Sequence, residues 1–190
     1  MWSAAGVAVM AAAALGGCSG DADPIPSSTP PASTSVSASG STSPSPSDSP
    51  SPTYSVPPEA QHRTDAGAIA FVQFYFDQVN EAWATPDPDL IRILSGSDCN
   101  TCKADIKTAE TLSSDGQRAS GPSVQVGDFS SLPGPQDSQM FVDLHLVQLD
   151  TPVLDKAGTE VSRPGTGEAE IRALVTWRED KWVMDAIGQR

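Results

Sequence analysis

Thr64-Asp65-Ala66-Gly67-Ala68-Ile69-Ala70-Phe71-Val72-Gln73-Phe74-Tyr75-Phe76-Asp77-Gln78-Val79-Asn80-Glu81-Ala82-Trp83 decides how this chain folds. Thr64-Asp65 is a helix start signal, and Ala68, Ile69, Val72, Tyr75, Phe76, Val79 and Trp83 recur at spacings of three and four on one wide face. Phe71 and Phe74 lie off that stripe, which predicts a helix covered on more than one side, as when it lies across a curved sheet. Pro86 and Pro88 stop it. Asp87 then offers a cap and Pro88 suits a first helical position, so 89–94 reads as a short second helix ended by Gly96. A third is predicted over about 100–113, with Ala104, Ile106, Ala109 and Leu112 as its apolar positions and Gly116 as its stop.

Beyond Gly121-Pro122 the period changes from helical to two. Val124, Val126 and Phe129 open a strand region, and 139–149 alternates over a longer span. Met140, Val142, Leu144 and Leu146 form one face of that strand, and Phe141, Asp143, His145, Val147 and Leu149 the other. A small hairpin turning at Lys156-Ala157-Gly158 is predicted between Val153 and Val161. Ala169, Ile171, Ala173, Val175 and Trp177 share a face in a further strand. The connection Glu179-Asp180 leads into 181–187 and sets Trp177 opposite Trp182 and Val175 opposite Met184. The fold class is therefore α+β, with N-terminal helices packed on one face of a curved antiparallel sheet. The space between helix and sheet should be a filled core. Its walls should be Ile69, Val72, Tyr75, Phe76 and Val79, facing Val142, Leu144, Val175, Trp177, Trp182 and Met184.

Working outward, the 190 residues carry 11 Lys+Arg against 24 Asp+Glu, a formal net charge of −13. No basic surplus exists to replace phosphate counterions, which argues against a nucleic-acid partner. Between Ser19 and Pro58, Ser, Thr and Pro fill 28 of 40 positions, too little apolar surface to offset the entropy of ordering. The reading is three parts: a leader over 1–17, a disordered Ser/Pro/Thr-rich linker over 18–58, and the α+β domain over 59–190. Proline bias favours polyproline II, so some 40 residues could reach on the order of 100 Å when extended.

Residues 4–15 hold no charge and match the apolar core of a secretory signal peptide, too short for a membrane span of roughly 20 residues. Leu15-Gly16-Gly17-Cys18 resembles the lipobox of bacterial lipoproteins. That resemblance implies cleavage before Cys18 and diacylglycerol on its sulfur, with the protein anchored to the extracytoplasmic face of the cell membrane. Two acyl chains give a stable anchor where one gives only marginal binding. Separately, the aromatic helix from Gly67 to Asn80 followed by Cys99-Asn100-Thr101-Cys102 resembles, over about 57–188, a family of actinobacterial lipoproteins of unknown function. The order of elements is also similar to the cone-shaped fold of nuclear transport factor 2 (NTF2) and the SnoaL-type cyclases, and architecture alone carries no chemistry.

Three constellations could carry chemistry. Cys99-x-x-Cys102 reads as a structural disulfide, because an even pair outside the membrane tends to oxidise. A redox pair would normally follow a strand in a βαβ unit, and zinc would need further ligands than two histidines supply. Asp143 and His145 share a strand face and could serve as an acid/base pair in a pocket. The wholly apolar opposite face is the better candidate to meet the helices, which places both outward in charge pairing with the neighbouring strand. Asp87, Asp89 and Asp98 read as caps, since a calcium loop would need its glycine and terminal glutamate. His62 has no evident partner. No phosphate loop, nucleophile elbow or metalloprotease helix occurs, and no cofactor or metal is expected. The function expected is a lipid-anchored, non-enzymatic binding domain with a cell-wall or exported protein partner. The alternative is a SnoaL-like enzyme built on Asp143 and His145.

Overall fold

The computed structural model describes residues 55–190. Cys18, the leader over 1–17 and the linker up to residue 54 lie outside the described residues.

A single 3-10 turn, Pro58–Gln61, leads into helix α1, Asp65–Ala84. Thr64 caps α1 by accepting the Gly67 N–H at 3.0 Å. Gly67 is required there: a β-carbon on it would lie 2.0 Å from the His62 carbonyl oxygen, so only glycine lets the turn fold onto the helix start. Helix α2, Asp89–Leu94, opens with the Asp87 carboxylate accepting the Asp89 N–H at 3.0 Å. It ends before Gly96, because Ser95 leaves the helix to bridge Met184 and the Gly96 N–H donates to the Met184 carbonyl. Pairing with a strand, not glycine, terminates it. Helix α3, Asn100–Asp115, stops at Gly116 in the left-handed conformation.

The strands follow as β1 Arg118–Ala119, β2 Val124–Pro133, β3 Gln139–Gln148, β4 Val153–Leu154, β5 Glu160–Ser162, β6 Gly167–Arg178 and β7 Lys181–Gln189. The main antiparallel sheet has the order β2-β3-β6-β7, and β1-β4-β5 form a small second sheet. Val153 and Leu154 pair with Ser162 and Glu160 across the predicted hairpin. Glu179 and Asp180 both take positive φ, 51° and 58°, and close the β6-β7 turn with the twist a two-residue hairpin favours. Trp177 then faces Trp182 and Val175 faces Met184, with the indole rings edge-to-face at 5.2 Å.

One irregularity decides which side chains enter the core. β2 carries a bulge between Gly127 and Ser130, where Asp128 adopts φ 53°. The extra residue shifts the alternation, so Phe129 joins Val124 and Val126 against the core although its position differs in parity. Asn80 of α1 clamps the start of this strand: its Oδ1 accepts the Ser123 and Val124 N–H groups at 2.8 and 3.0 Å, and its Nδ2 donates to the Val124 carbonyl at 2.9 Å.

The core lies between α1 and the sheet. Val72, Tyr75, Val142, Val175 and Met184 have no exposed surface, and Phe71 and Phe74 are buried as the off-stripe reading required. Three expected core positions sit elsewhere. Ala104 is exposed because the inner face of α3 runs through Cys102, Asp105, Ile106, Ala109 and Leu112, which keeps the other three predicted positions. Ile69 and Trp177 are only half-buried, at the margins of the packing. Val142→Ala should lower the unfolding free energy by about 1 to 3 kcal/mol through the cavity it leaves. Urea denaturation of the two proteins measures this, and superimposable curves would contradict a filled core.

Candidate functional site

Asp143 and His145 occupy the face of β3 that points away from α1, since their neighbours Val142 and Leu144 are the core residues. Register places Asp143 beside Arg172 and His145 beside Glu170 of β6. Arg172 donates through Nε and Nη2 to the two Asp143 oxygens at 2.6 and 2.8 Å, while Arg190 lies 3.5 Å from Oδ2. The same guanidinium stacks over Phe141, 5.1 Å from the ring centroid. Asp143 is thereby 4% exposed although it faces outward, and the bidentate bond from Arg172 holds its carboxyl below the usual range. His145 Nδ1 stands 3.0 Å from Glu170 Oε1, and that bond raises its pKa, with Glu168 and Asp128 adding to the effect. Each of the two is paired with β6, and the structure does not bring them together as an acid/base pair facing the cone.

A disulfide joins Cys99 to Cys102, with the α-carbons 5.2 Å apart. Both residues are fully buried, and Cys99 Sγ accepts the Cys102 N–H at 3.2 Å in the cap position of α3. Thiol exchange needs access to a sulfur, and burial here withholds it. Asp87 and Asp89 serve α2, the first through its cap and the second through Arg92 at 2.6 Å. The carbonyl of His62, not its ring, has the structural role: it accepts the Trp182 indole N–H at 3.0 Å. Among the described residues no group of three or more His, Cys, Asp or Glu is arranged to hold a metal ion.

The titratable group that sequence reasoning missed is Asp105. It lies on the inner face of α3, where Tyr75 Oη donates to its Oδ2 at 3.2 Å and Trp83 Nε1 donates to its carbonyl at 3.1 Å. Burial pushes its carboxyl up to about 6, and raises the Tyr75 hydroxyl as well. The signal was present in the spacing. Asp105 stands three residues after Cys102 and four before Ala109, so a helix register built on the cysteine would have turned it inward. The expected cone walls contained no acid; Asp105 touches one of them, Tyr75, from the side. At the end of the cone marked by Trp83 and Val124, packing gives way to a concavity of about 250 Å³.

The model described as "Family of unknown function (DUF6318)" matches residues 36–187. No curated protein matches the chain. Among solved structures, the intermembrane space region of the chloroplast protein ARC6 aligns with a TM-score of 0.50 at 11% identity, covering 67% of this chain and 97% of that one. A putative scytalone dehydratase from Novosphingobium aromaticivorans gives 0.43 at 11% identity, over 65% and 83% of the two chains. An uncharacterized protein with a cystatin-like fold from Caulobacter vibrioides gives 0.40 at 13% identity, over 65% and 90%. At such identities the likeness is one of fold alone: helices on a curved antiparallel sheet, the NTF2-like cone.

The Asp105 carboxyl generates a pH dependence of defined sign. Its folded-state pKa of about 6 lies above the ordinary 3.8, so the folded chain holds the proton longer and the ionised form costs stability. That cost is absent below the ordinary value and complete above about 6. Asp105→Asn keeps an acceptor for Tyr75 and removes the charge. It should raise stability at pH 7.5 by about 1 to 3 kcal/mol and leave it little changed at pH 4. Urea unfolding at both pH values measures the difference, and a variant equally destabilised at both would refute this role.

Proposed function

The chain belongs to the DUF6318 family, whose matched stretch takes in part of the Ser/Pro-rich segment as well as the cone, and we propose that it is a lipid-anchored binding protein. In this reading acylated Cys18 holds it on the extracytoplasmic face of the cell membrane, as its resemblance to actinobacterial lipoproteins implies. The Ser/Pro/Thr-rich segment spaces the domain from the bilayer, and the domain binds without catalysing a reaction. Its partner is an exported protein or a component of the cell wall.

One observation carries the non-enzymatic part. The space between α1 and the sheet is occupied by Val72, Tyr75, Val142, Val175 and Met184, all without exposed surface. General acid/base catalysis needs a titratable group within hydrogen-bond reach of its substrate. The enzyme alternative asked for Asp143 or His145 in that space, and both face the other way. Leu15-Gly16-Gly17-Cys18 supports the anchor.

Cys18→Ala should shift most of the protein from the membrane fraction to the medium, or leave it as an unprocessed precursor. Fractionation and immunoblotting of wild type and variant report this. Equal membrane retention of both, with normal processing, would refute the anchor.

A further inference from the structure

At the open end of the cone, α1, α3, the start of β2 and the small sheet fail to close completely. The concavity left there, about 250 Å³, is walled by Trp83, Leu112, Ala119, Val124, Val153 and Pro164. We propose that it is a binding site for a small neutral apolar molecule, of about ten carbons and with at most one hydrogen-bond donor. This deepens the binding-domain reading and rests on it.

Charge and hydrogen bonding both select this class. Among the described residues no charged side chain lines the concavity; its polar members are Thr108, Ser123, Gln148 and Thr151. Three of these each give one donor to a backbone carbonyl. Thr108 Oγ1 donates to Ala104 at 3.0 Å, Gln148 Nε2 to Gly165 at 3.2 Å, and Thr151 Oγ1 to Pro122. What remains is the Gln148 Oε1 acceptor, the second Gln148 amide N–H and the Ser123 hydroxyl, a small neutral set that suits a single hydroxyl group. A carboxylate or phosphate brought here would lose its water and gain at most two neutral donors and no cation, which is costly. The chain's net charge of −13 opposes it further. An alcohol or hydrocarbon meets no such penalty and gains from apolar burial. Size follows from volume: a cavity of about 150 Å³ accepts benzene, with six carbons, so about 250 Å³ accepts roughly ten.

The site is reachable without unfolding. Thr108 is exposed at the rim, on the outer turn of α3, while Leu112 and Ala119 are buried at the floor. A bulky residue at 108 should therefore block entry without disturbing the core.

The test uses the full chain carrying Cys18→Ser, which removes the acyl acceptor, titrated with 1-octanol and with octanoate while methyl NMR signals are followed. The expected result is saturable shifts at Leu112, Val124 and Val153 with 1-octanol. Half-saturation should come at a concentration at least tenfold below that of octanoate, and Thr108→Trp should abolish the response. Absence of saturable shifts, or equal responses to the alcohol and the carboxylate, would overturn the site and leave a binding domain that works through another surface. A response that fades as protein concentration rises would make a second copy of the chain the occupant, and would overturn the small-molecule assignment. Recovery of 1-octanol chemically altered would instead overturn the non-enzymatic reading on which the site rests.

Discussion

Everything in this domain hangs on the seating of one aromatic helix across a curved sheet. Its N-terminal end is fixed by a close approach that only glycine permits, Gly67 against the His62 carbonyl, and that carbonyl is also the acceptor for the Trp182 indole. Its other end is fixed by Asn80, which satisfies three backbone groups at the start of an edge strand. Between these points the helix presents side chains too large and too apolar to leave exposed, and burying them is the main driving force available to a domain of this size. The short second helix and the disulfide then cover what a single helix cannot, through Ile91, Leu94, Cys99 and Cys102.

Two carboxyls show how strictly the environment decides chemistry in this fold. Asp143 and Asp105 are both removed from solvent to a large degree, yet their proton affinities move in opposite directions. Asp143 faces a guanidinium that matches it oxygen for nitrogen, and stays ionised. Asp105 faces only a tyrosine hydroxyl among apolar neighbours, and holds its proton to about pH 6. The sheet thereby has two unlike faces, charge pairs on the outside and an apolar core within, with an incompletely closed rim where Trp83 and Val124 meet.

The parts of this architecture that follow a simple period were legible in the sequence. Helix α1 with its Thr64 cap, the alternation of β3, and the register of β6 against β7 through Trp177 and Trp182 could all be read from spacing. What escaped depends on tertiary context. The bulge at Asp128, which turns Phe129 inward, had only Gly127 within the strand as its local signal, and that signal does not fix which residue takes the positive φ. The two-residue strand β1 exists only because β4 lies beside it. Asp105 escaped because only apolar residues were counted on the inner face of α3, although it stands four residues before Ala109 and seven before Leu112. Asn80 gave no warning either, since a polar residue near a helix end reads as surface until a strand edge is placed against it.

If α1 and the sheet share one filled core, they should open together. Native-state hydrogen exchange of the full chain tests this most directly. The account predicts that amides in the middle of α1, around Val72 to Val79, exchange with the same free energy as those of β3 and β6, equal to that of global unfolding. Exchange of the α1 amides through a separate opening of clearly lower free energy, with β3 and β6 still protected, would show that the helix is a removable lid over a cavity, and would contradict the account.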